Sequence, residues 1–178
     1  AGADALIVAD VGVLRLARKY APHVPLHIGV TEAGTTFQGA IKSACGLGIL
    51  LEEGIGDTLR ISLTDDPVQE IRACWTLLSA LDLRRRAPEL ISCPTCGRCQ
   101  VDLIGLAREV EGRIANLDKP LKVAVMGCVV NGPGEAADAD IGVACGVGSG
   151  VVFSKGNVVR KVEESAIVDA LMEEIGKL

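Results

Sequence analysis

Short apolar runs alternate with helix-spaced apolar positions through the first 86 residues. Leu6-Ile7-Val8-Ala9 has the form of a buried strand. The next stretch, 11–20, sets Leu14, Leu16 and Ala17 among Arg15, Arg18 and Lys19, as an amphipathic helix does. Pro22 and Pro25 then interrupt the chain before Leu26-His27-Ile28-Gly29-Val30, a second strand, and the loop Thr31-Glu32-Ala33-Gly34. Residues 37–53 predict a helix whose small residues, Ala40, Ser43, Ala44, Gly46 and Gly48, permit close packing. Residues 58–63 predict a third strand. Asp65-Asp66-Pro67 then supplies an acidic cap and a proline at the first helical position. The helix it opens is expected to run to about Leu81 on Val68, Ile71, Trp75 and Leu78.

Three β-α units in succession make a parallel sheet, usually covered by helices on both faces. Three strands do not close a barrel and leave bare edges. Residues 1–86 are therefore expected to be the C-terminal part of a (β/α) barrel of the TIM type. The stretch 82–88, with Arg84-Arg85-Arg86, is expected to be a charged, solvated linker, or else a contact for an acidic partner.

The pattern changes in residues 87–178. Leu90-Ile91-Ser92 is a short strand, 101–117 a helix on Leu103, Ile104, Leu106, Val110 and Ile114, and 121–126 a continuous apolar strand. Residues 141–145 make another strand. Val151-Val152-Phe153-Ser154 and Val158-Val159-Arg160 flank a Lys155-Gly156-Asn157 turn, a hairpin signal, and 167–175 is a closing helix. The fold class is thus α/β: the last β/α units of a TIM-type barrel followed by a small α+β domain.

Composition narrows the function. Nearly half the residues are apolar, yet Phe37, Phe153, Tyr20 and Trp75 are the only aromatics, so the core is aliphatic. A net charge of −5 and the scarcity of rings argue against nucleic-acid binding, which needs basic grooves and stacking platforms. No apolar run approaches the ~18 residues of a membrane span. No signal peptide is visible, and a cytoplasmic setting is expected. The chain opens Ala1-Gly2 without a methionine, so a fragment or a processed product is expected.

Seven cysteines without an export signal point to metal or redox chemistry rather than to a disulfide framework. Cys93, Cys96 and Cys99 fall within Ser92-Cys93-Pro94-Thr95-Cys96-Gly97-Arg98-Cys99, after a strand. Cys128 follows the next predicted strand and precedes Asn131-Gly132-Pro133-Gly134-Glu135, a turn suited to presenting backbone amides. Two cysteine-bearing loops at strand ends in one small domain predict a shared soft-metal site, in the first place an iron–sulfur cluster. The spacing leaves its fourth ligand open between Cys99 and Glu135. The alternatives are a structural zinc module on Cys93, Cys96, Cys99 and Cys128, without catalysis, and an inactive fragment or fusion that binds a cluster without turnover. Cys45 and Cys74, in predicted helices, are expected to be buried apolar residues, and Cys145 a strand core residue.

In the first half, candidate residues gather at C-terminal strand ends, where α/β folds place their sites. Thr31 and Glu32 follow the second strand. Arg60 and Ser62 alternate along the third and so share a face, a pairing suited to an anion; the competing expectation pairs Arg60 with a carboxylate. His23 and His27 are expected to be structural. Lys42 has two readings, a phosphate contact or a solvated helix face.

Four stretches together resemble one family. They are Leu26 to Gly34, Gly54-Ile55-Gly56-Asp57-Thr58-Leu59-Arg60-Ile61-Ser62-Leu63, Cys93-Pro94-Thr95-Cys96, and Gly127-Cys128-Val129-Val130-Asn131-Gly132-Pro133-Gly134-Glu135. The family is the 4-hydroxy-3-methylbut-2-enyl diphosphate synthases of the non-mevalonate isoprenoid pathway, and the resemblance runs from about residue 23 to the C-terminus. It implies reductive ring opening and dehydration of 2-C-methyl-D-erythritol 2,4-cyclodiphosphate, with electrons from ferredoxin or flavodoxin. It implies a [4Fe-4S] cluster on Cys93, Cys96, Cys128 and Glu135, which makes Cys99 a bystander. It further implies that Thr31, Arg60, Ser62 and Asn131 bind substrate, that Glu32 and Glu135 act in catalysis, and that the chain works as a homodimer. Its cluster domain would be similar to a sulfite-reductase module. Three departures stand out. A full member of the family has a complete barrel ahead of this region, with several phosphate-binding arginines, and here at most its last strands are present. The opening strand resembles that of another barrel family, the collagenase-like U32 peptidases, and Val147 stands where the family pattern has lysine.

Overall fold

The computed structural model describes residues 2–8, 10–31, 34–130, 136 and 138–178. By internal contacts the chain divides into two compact units, Ala1–Arg85 and Arg86–Leu178. Among the described residues no helix is long and apolar enough to cross a membrane.

The first unit is a parallel sheet of β1 (Leu6–Ile7), β2 (Leu26–Val30) and β3 (Thr58–Ile61), in that order. Its helices are α1 (Val11–Tyr20), α2 (Thr36–Glu52) and α3 (Pro67–Ala80). Their starts are set by side chains. Asp10 accepts the Val13 N–H at 2.9 Å, and Asp66 accepts that of Val68 at 2.8 Å just ahead of Pro67. Ile28 and Ile61 from the sheet, Leu47 and Leu51 from α2, and Leu77 from α3 form the core. Asp57 joins β2 to β3 at their starts: its carboxylate accepts the Leu26 N–H and its own N–H donates to the Leu26 carbonyl, each at 2.8 Å.

Two expectations fail here. Only one face of β2 is covered within this unit, since Leu26 and Ile28 are buried while Gly29 between them and Val30 is exposed. The α3 stripe is also displaced. Val68 and Ile71 are more than half exposed, and the core side is Leu77 with Ala73, Cys74, Leu78 and Leu81 beside it. Trp75 is half-buried. Helical spacing finds an apolar stripe but does not say which of two neighbouring stripes meets a sheet.

The second unit is a five-stranded sheet of β4 (Glu89–Ser92), β5 (Lys122–Met126), β6 (Ile141–Gly146), β7 (Ser149–Ser154) and β8 (Asn157–Glu163), in sequential order. β4, β5 and β6 are parallel, and β6 to β8 form an antiparallel meander. Helices α4 (Leu103–Ile114) and α5 (Ile167–Gly176) cover one face. α4 is shorter than the pattern predicts because Asp102 caps it, accepting the Gly105 N–H at 3.0 Å, so Val101 stays outside. The hairpin turn is Lys155-Gly156 alone, with φ of 48° and 78°, which fits a two-residue turn of the primed kind.

β5 is buried on both faces. Val123 and Val125 enter a wide core with Val110, Ile114, Val143, Ile167 and Leu171. Ala124 and Met126 enter a smaller one with Ala136, Ala139, Ala144 and Phe153. In that second core the sheet approaches Phe153 closely enough to exclude a side chain at position 142. A β-carbon on Gly142 would lie 2.6 Å from the Ala124 carbonyl oxygen and 2.5 Å from the Phe153 ring. Gly142→Ala is expected to destabilise the chain by about 2–3 kcal/mol, as overpacking against backbone does, read as a lowered urea midpoint with unchanged slope.

Candidate functional site

β4 and β5 pair in parallel with Ser92 opposite Val125, so the chain leaves both strands at the same edge of the sheet. The loops that follow carry the cysteines, and they touch. The Gly127 N–H donates to Cys93 Sγ at 3.3 Å, and the Gln100 N–H donates to the Gly127 carbonyl at 3.3 Å. The Gly97-Arg98 turn is closed by the Cys99 N–H on the Cys96 carbonyl at 2.9 Å. Cys99 Sγ donates to the Val101 carbonyl at 3.3 Å.

The thiols lie at graded depth. Cys128 is buried, Cys93 and Cys99 are half-buried, and Cys96 is exposed. The backbone N–H and then the guanidinium of Arg98 lie on Cys96 and hold its thiol below the ordinary value, favouring the thiolate that binds metals. Burial, followed by the nearby Cys99, Glu164 and Cys93, pushes Cys145 up to about 12. That suits the core role expected of it. Cys45 departs from expectation: it is exposed, because Ser43 and Leu47 occupy the buried stripe of α2 on either side of it. Cys74 is half-buried, and burial raises its thiol.

Cys93, Cys96 and Cys128 therefore stand on two adjoining loops, as soft donors within one end of one sheet. This donor set suits an iron–sulfur centre. Among the described residues, no three His, Cys, Asp or Glu side chains are already converged to hold a metal ion. Glu135 and Asn131 lie outside the described residues, as does the Gly132-Pro133-Gly134 turn. A cleft of about 430 Å³ runs beside Cys93 and Thr95, walled by Ile104, Arg108 and Glu111 of α4.

In the first unit Arg60 and Thr31 come together at the C-terminal strand ends, with Arg60 Nη2 donating to Thr31 Oγ1 at 2.7 Å. Gly29 makes this possible. It pairs with Arg60 across the sheet, and a β-carbon there would stand 3.3 Å from Arg60 Nε, so the guanidinium stem lies over the glycine. The role of Gly29 was not apparent from the sequence, where it reads as one weak position in a strand. Ser62 lies one residue past the end of β3 at Ile61 and is half-buried. Glu32 lies outside the described residues. His27 is structural, with Nδ1 2.9 Å from Thr58 Oγ1. Beside these, Thr36 hydrogen-bonds Asp65 and holds that carboxyl below its usual range.

Two family models match the chain. A GcpE TIM-barrel domain matches residues 7–75, and a GcpE protein C-terminal domain matches residues 89–177. The first begins well ahead of residue 23, where the resemblance in the sequence begins. Curated relatives named 4-hydroxy-3-methylbut-2-en-1-yl diphosphate synthase (flavodoxin) align at high identity. That of Geobacter sulfurreducens is 62% identical over 154 residues, 86% of this chain and 44% of that protein. That of Lawsonia intracellularis is 58% identical over 155 residues, 86% and 43%. That of Clostridium tetani is 60% identical over 151 residues, 85% and 43%. The chain thus spans less than half the length of the relatives it matches.

The depth of the thiols predicts their chemistry. With iodoacetamide under reducing, metal-free conditions, Cys45 and Cys96 are expected to be alkylated in the folded chain, and Cys128 and Cys145 only after unfolding, as peptide mass mapping would read.

Proposed function

Because the chain belongs to the GcpE family, whose barrel and C-terminal domains it matches in order, we propose that it is the substrate-binding and cluster-binding part of a 4-hydroxy-3-methylbut-2-enyl diphosphate synthase. The reaction is reductive ring opening of 2-C-methyl-D-erythritol 2,4-cyclodiphosphate with loss of water, and flavodoxin, which the relatives' names carry, is the electron donor. The observation that carries this reading is the meeting of the two cysteine loops, with the Gly127 N–H on Cys93 Sγ.

Cys93, Cys96 and Cys128, with Glu135 as the weaker oxygen ligand, hold a [4Fe-4S] cluster. When bound, the cluster supplies electrons one at a time and a Lewis-acidic iron for a substrate oxygen. The remaining work falls to the protein's own groups. Arg60 provides a permanent positive charge for the diphosphate, aimed by Thr31 Oγ1, and Ser62 and Asn131 add hydrogen bonds. Glu32 holds or delivers a proton at the substrate hydroxyl that leaves as water. The first unit is the end of a TIM-type barrel, the second a module like that of sulfite reductases, and the working form is a cytoplasmic homodimer. The zinc alternative needs Cys99 as a ligand, and its thiol is engaged with the Val101 carbonyl.

Anaerobic reconstitution with iron and sulfide, followed by Mössbauer spectroscopy, tests the ligand set. Cys93→Ala, Cys96→Ala and Cys128→Ala are each expected to abolish the cluster, and Glu135→Ala to keep it while altering the signal of the distinct iron site. A colourless zinc protein would overturn the reading. In turnover with reduced flavodoxin, alone or with the N-terminal part of a relative, Arg60→Gln is expected to raise KM by about tenfold or more, the scale of one lost charged hydrogen bond.

A further inference from the structure

One residue joins the two cysteine loops on three sides. The Gly127 N–H donates to Cys93 Sγ, and its carbonyl accepts from Gln100. On the third side, where a side chain would be, the space is taken: a β-carbon would stand 2.7 Å from Cys99 Sγ, 3.1 Å from Leu103 Cδ2 and 3.5 Å from Cys99 Cβ. Cys99 is itself tied down by its bond to the Val101 carbonyl.

We propose that Cys99 and Gly127 form a positioning joint for the cluster: Cys99 seats Gly127 so that its N–H is delivered to the sulfur of Cys93, and Cys99 is not a ligand. This rests on the cluster reading above. An N–H directed at a ligand sulfur draws off negative charge, which raises the reduction potential and orients the ligand. Cys99 is spent on other work. Its sulfur turns to the Val101 carbonyl and fills the space over a glycine. Gly127 is not among the glycines at positive φ, so alanine meets no backbone strain there, and the obstacles are the Cys99 sulfur and, at 3.1 Å, the end of the Leu103 side chain.

That makes a rescue experiment decisive. The full chain is reconstituted anaerobically as wild type, Cys99→Ala, Gly127→Ala, the double variant and Cys93→Ala. Iron content, iron affinity and cluster potential are read for each, with circular dichroism of the metal-free chain. Cys99→Ala is expected to keep full iron content, as the loss of a non-ligand does, and, with Gly127 left unseated, to shift the potential to more negative values. Gly127→Ala is expected to lose about tenfold or more in iron affinity, the scale for groups that orient ligands, and to shift the potential to more negative values. The double variant is expected to recover both, because the new methyl at position 127 takes the space the sulfur leaves, the β-carbons meet at an ordinary 3.5 Å, and the flexible end of Leu103, at 3.1 Å, need give by only a few tenths of an ångström. If Gly127→Ala fails to fold, Cys99→Leu crowds the same glycine from the opposite side and is expected to give the same negative shift.

Loss of iron in Cys99→Ala to the level of Cys93→Ala would make Cys99 a ligand and overturn the proposal. A wild-type potential in Cys99→Ala would also overturn it, as would wild-type affinity and potential in Gly127→Ala or in Cys99→Leu, or a defect in Gly127→Ala that the second substitution leaves untouched. Wild-type iron binding in Cys93→Ala would instead sink the cluster reading itself, a separate result.

Discussion

The parallel pairing of β4 with β5 is the constraint on which the cysteine end of the molecule depends. β5 is buried on both faces, with Val123 and Val125 in the wide core under the helices and Ala124 and Met126 in the shallow one. A slip of one residue would exchange these sets, placing methionine under α4 and α5 and valines against Phe153. Packing volume therefore fixes the register, and the register fixes where the chain leaves the sheet. Ser92 opposite Val125 puts Cys93 beside the Met126-Gly127-Cys128 exit. The meeting of the loops is a consequence of core packing, made specific by the hydrogen bond from Gly127.

Each unit secures its sheet at the opposite end from its candidate site. Asp57 ties the starts of β2 and β3 through two bonds to Leu26, and Asp140 does the same for β5 and β6, with its carboxylate on the Lys122 N–H and its own N–H on the Lys122 carbonyl. Asp140 also accepts, through its carbonyl, from the Lys155 N–H and the Ser154 hydroxyl, which brings in β7. The C-terminal strand ends are thereby relieved of structural duty. There the side chains that meet are an arginine with a threonine in the first unit and cysteines with a glycine in the second.

The elements were legible in the sequence because their signals are local. A continuous apolar run marked β5, Asp65-Asp66-Pro67 marked the start of α3, and Lys155-Gly156-Asn157 marked the hairpin. What failed depended on a partner surface the local pattern does not contain. Val68 and Ile71 form a plausible stripe, but the sheet meets Leu77 and Ala73. Cys45 looks like a core thiol until Ser43 and Leu47 take the inward positions. At the site, the types and spacing of the cysteines were readable, whereas the choice between Cys99 and Glu135 came from family resemblance. Nothing in Cys-x-x-Cys-x-x-Cys says that the last thiol turns to the Val101 carbonyl.

The graded depth of the thiols bears on how the proposed cluster would be held. Cys93 directly follows β4 and packs against both cores, and Cys128 lies two residues beyond β5 and is only 8% exposed. These two are positioned by the sheet, with little freedom to adjust. Cys96 sits three residues further along an exposed loop, beside Arg98, which favours its charged form. A centre built this way takes its location from the rigid pair and its closure from the loop. The positive group beside Cys96 offsets the charge repulsion that bringing three thiolates together creates. Arg98 then matters in assembling the centre, while the Gly127 amide, fixed at the strand exit, matters in tuning it.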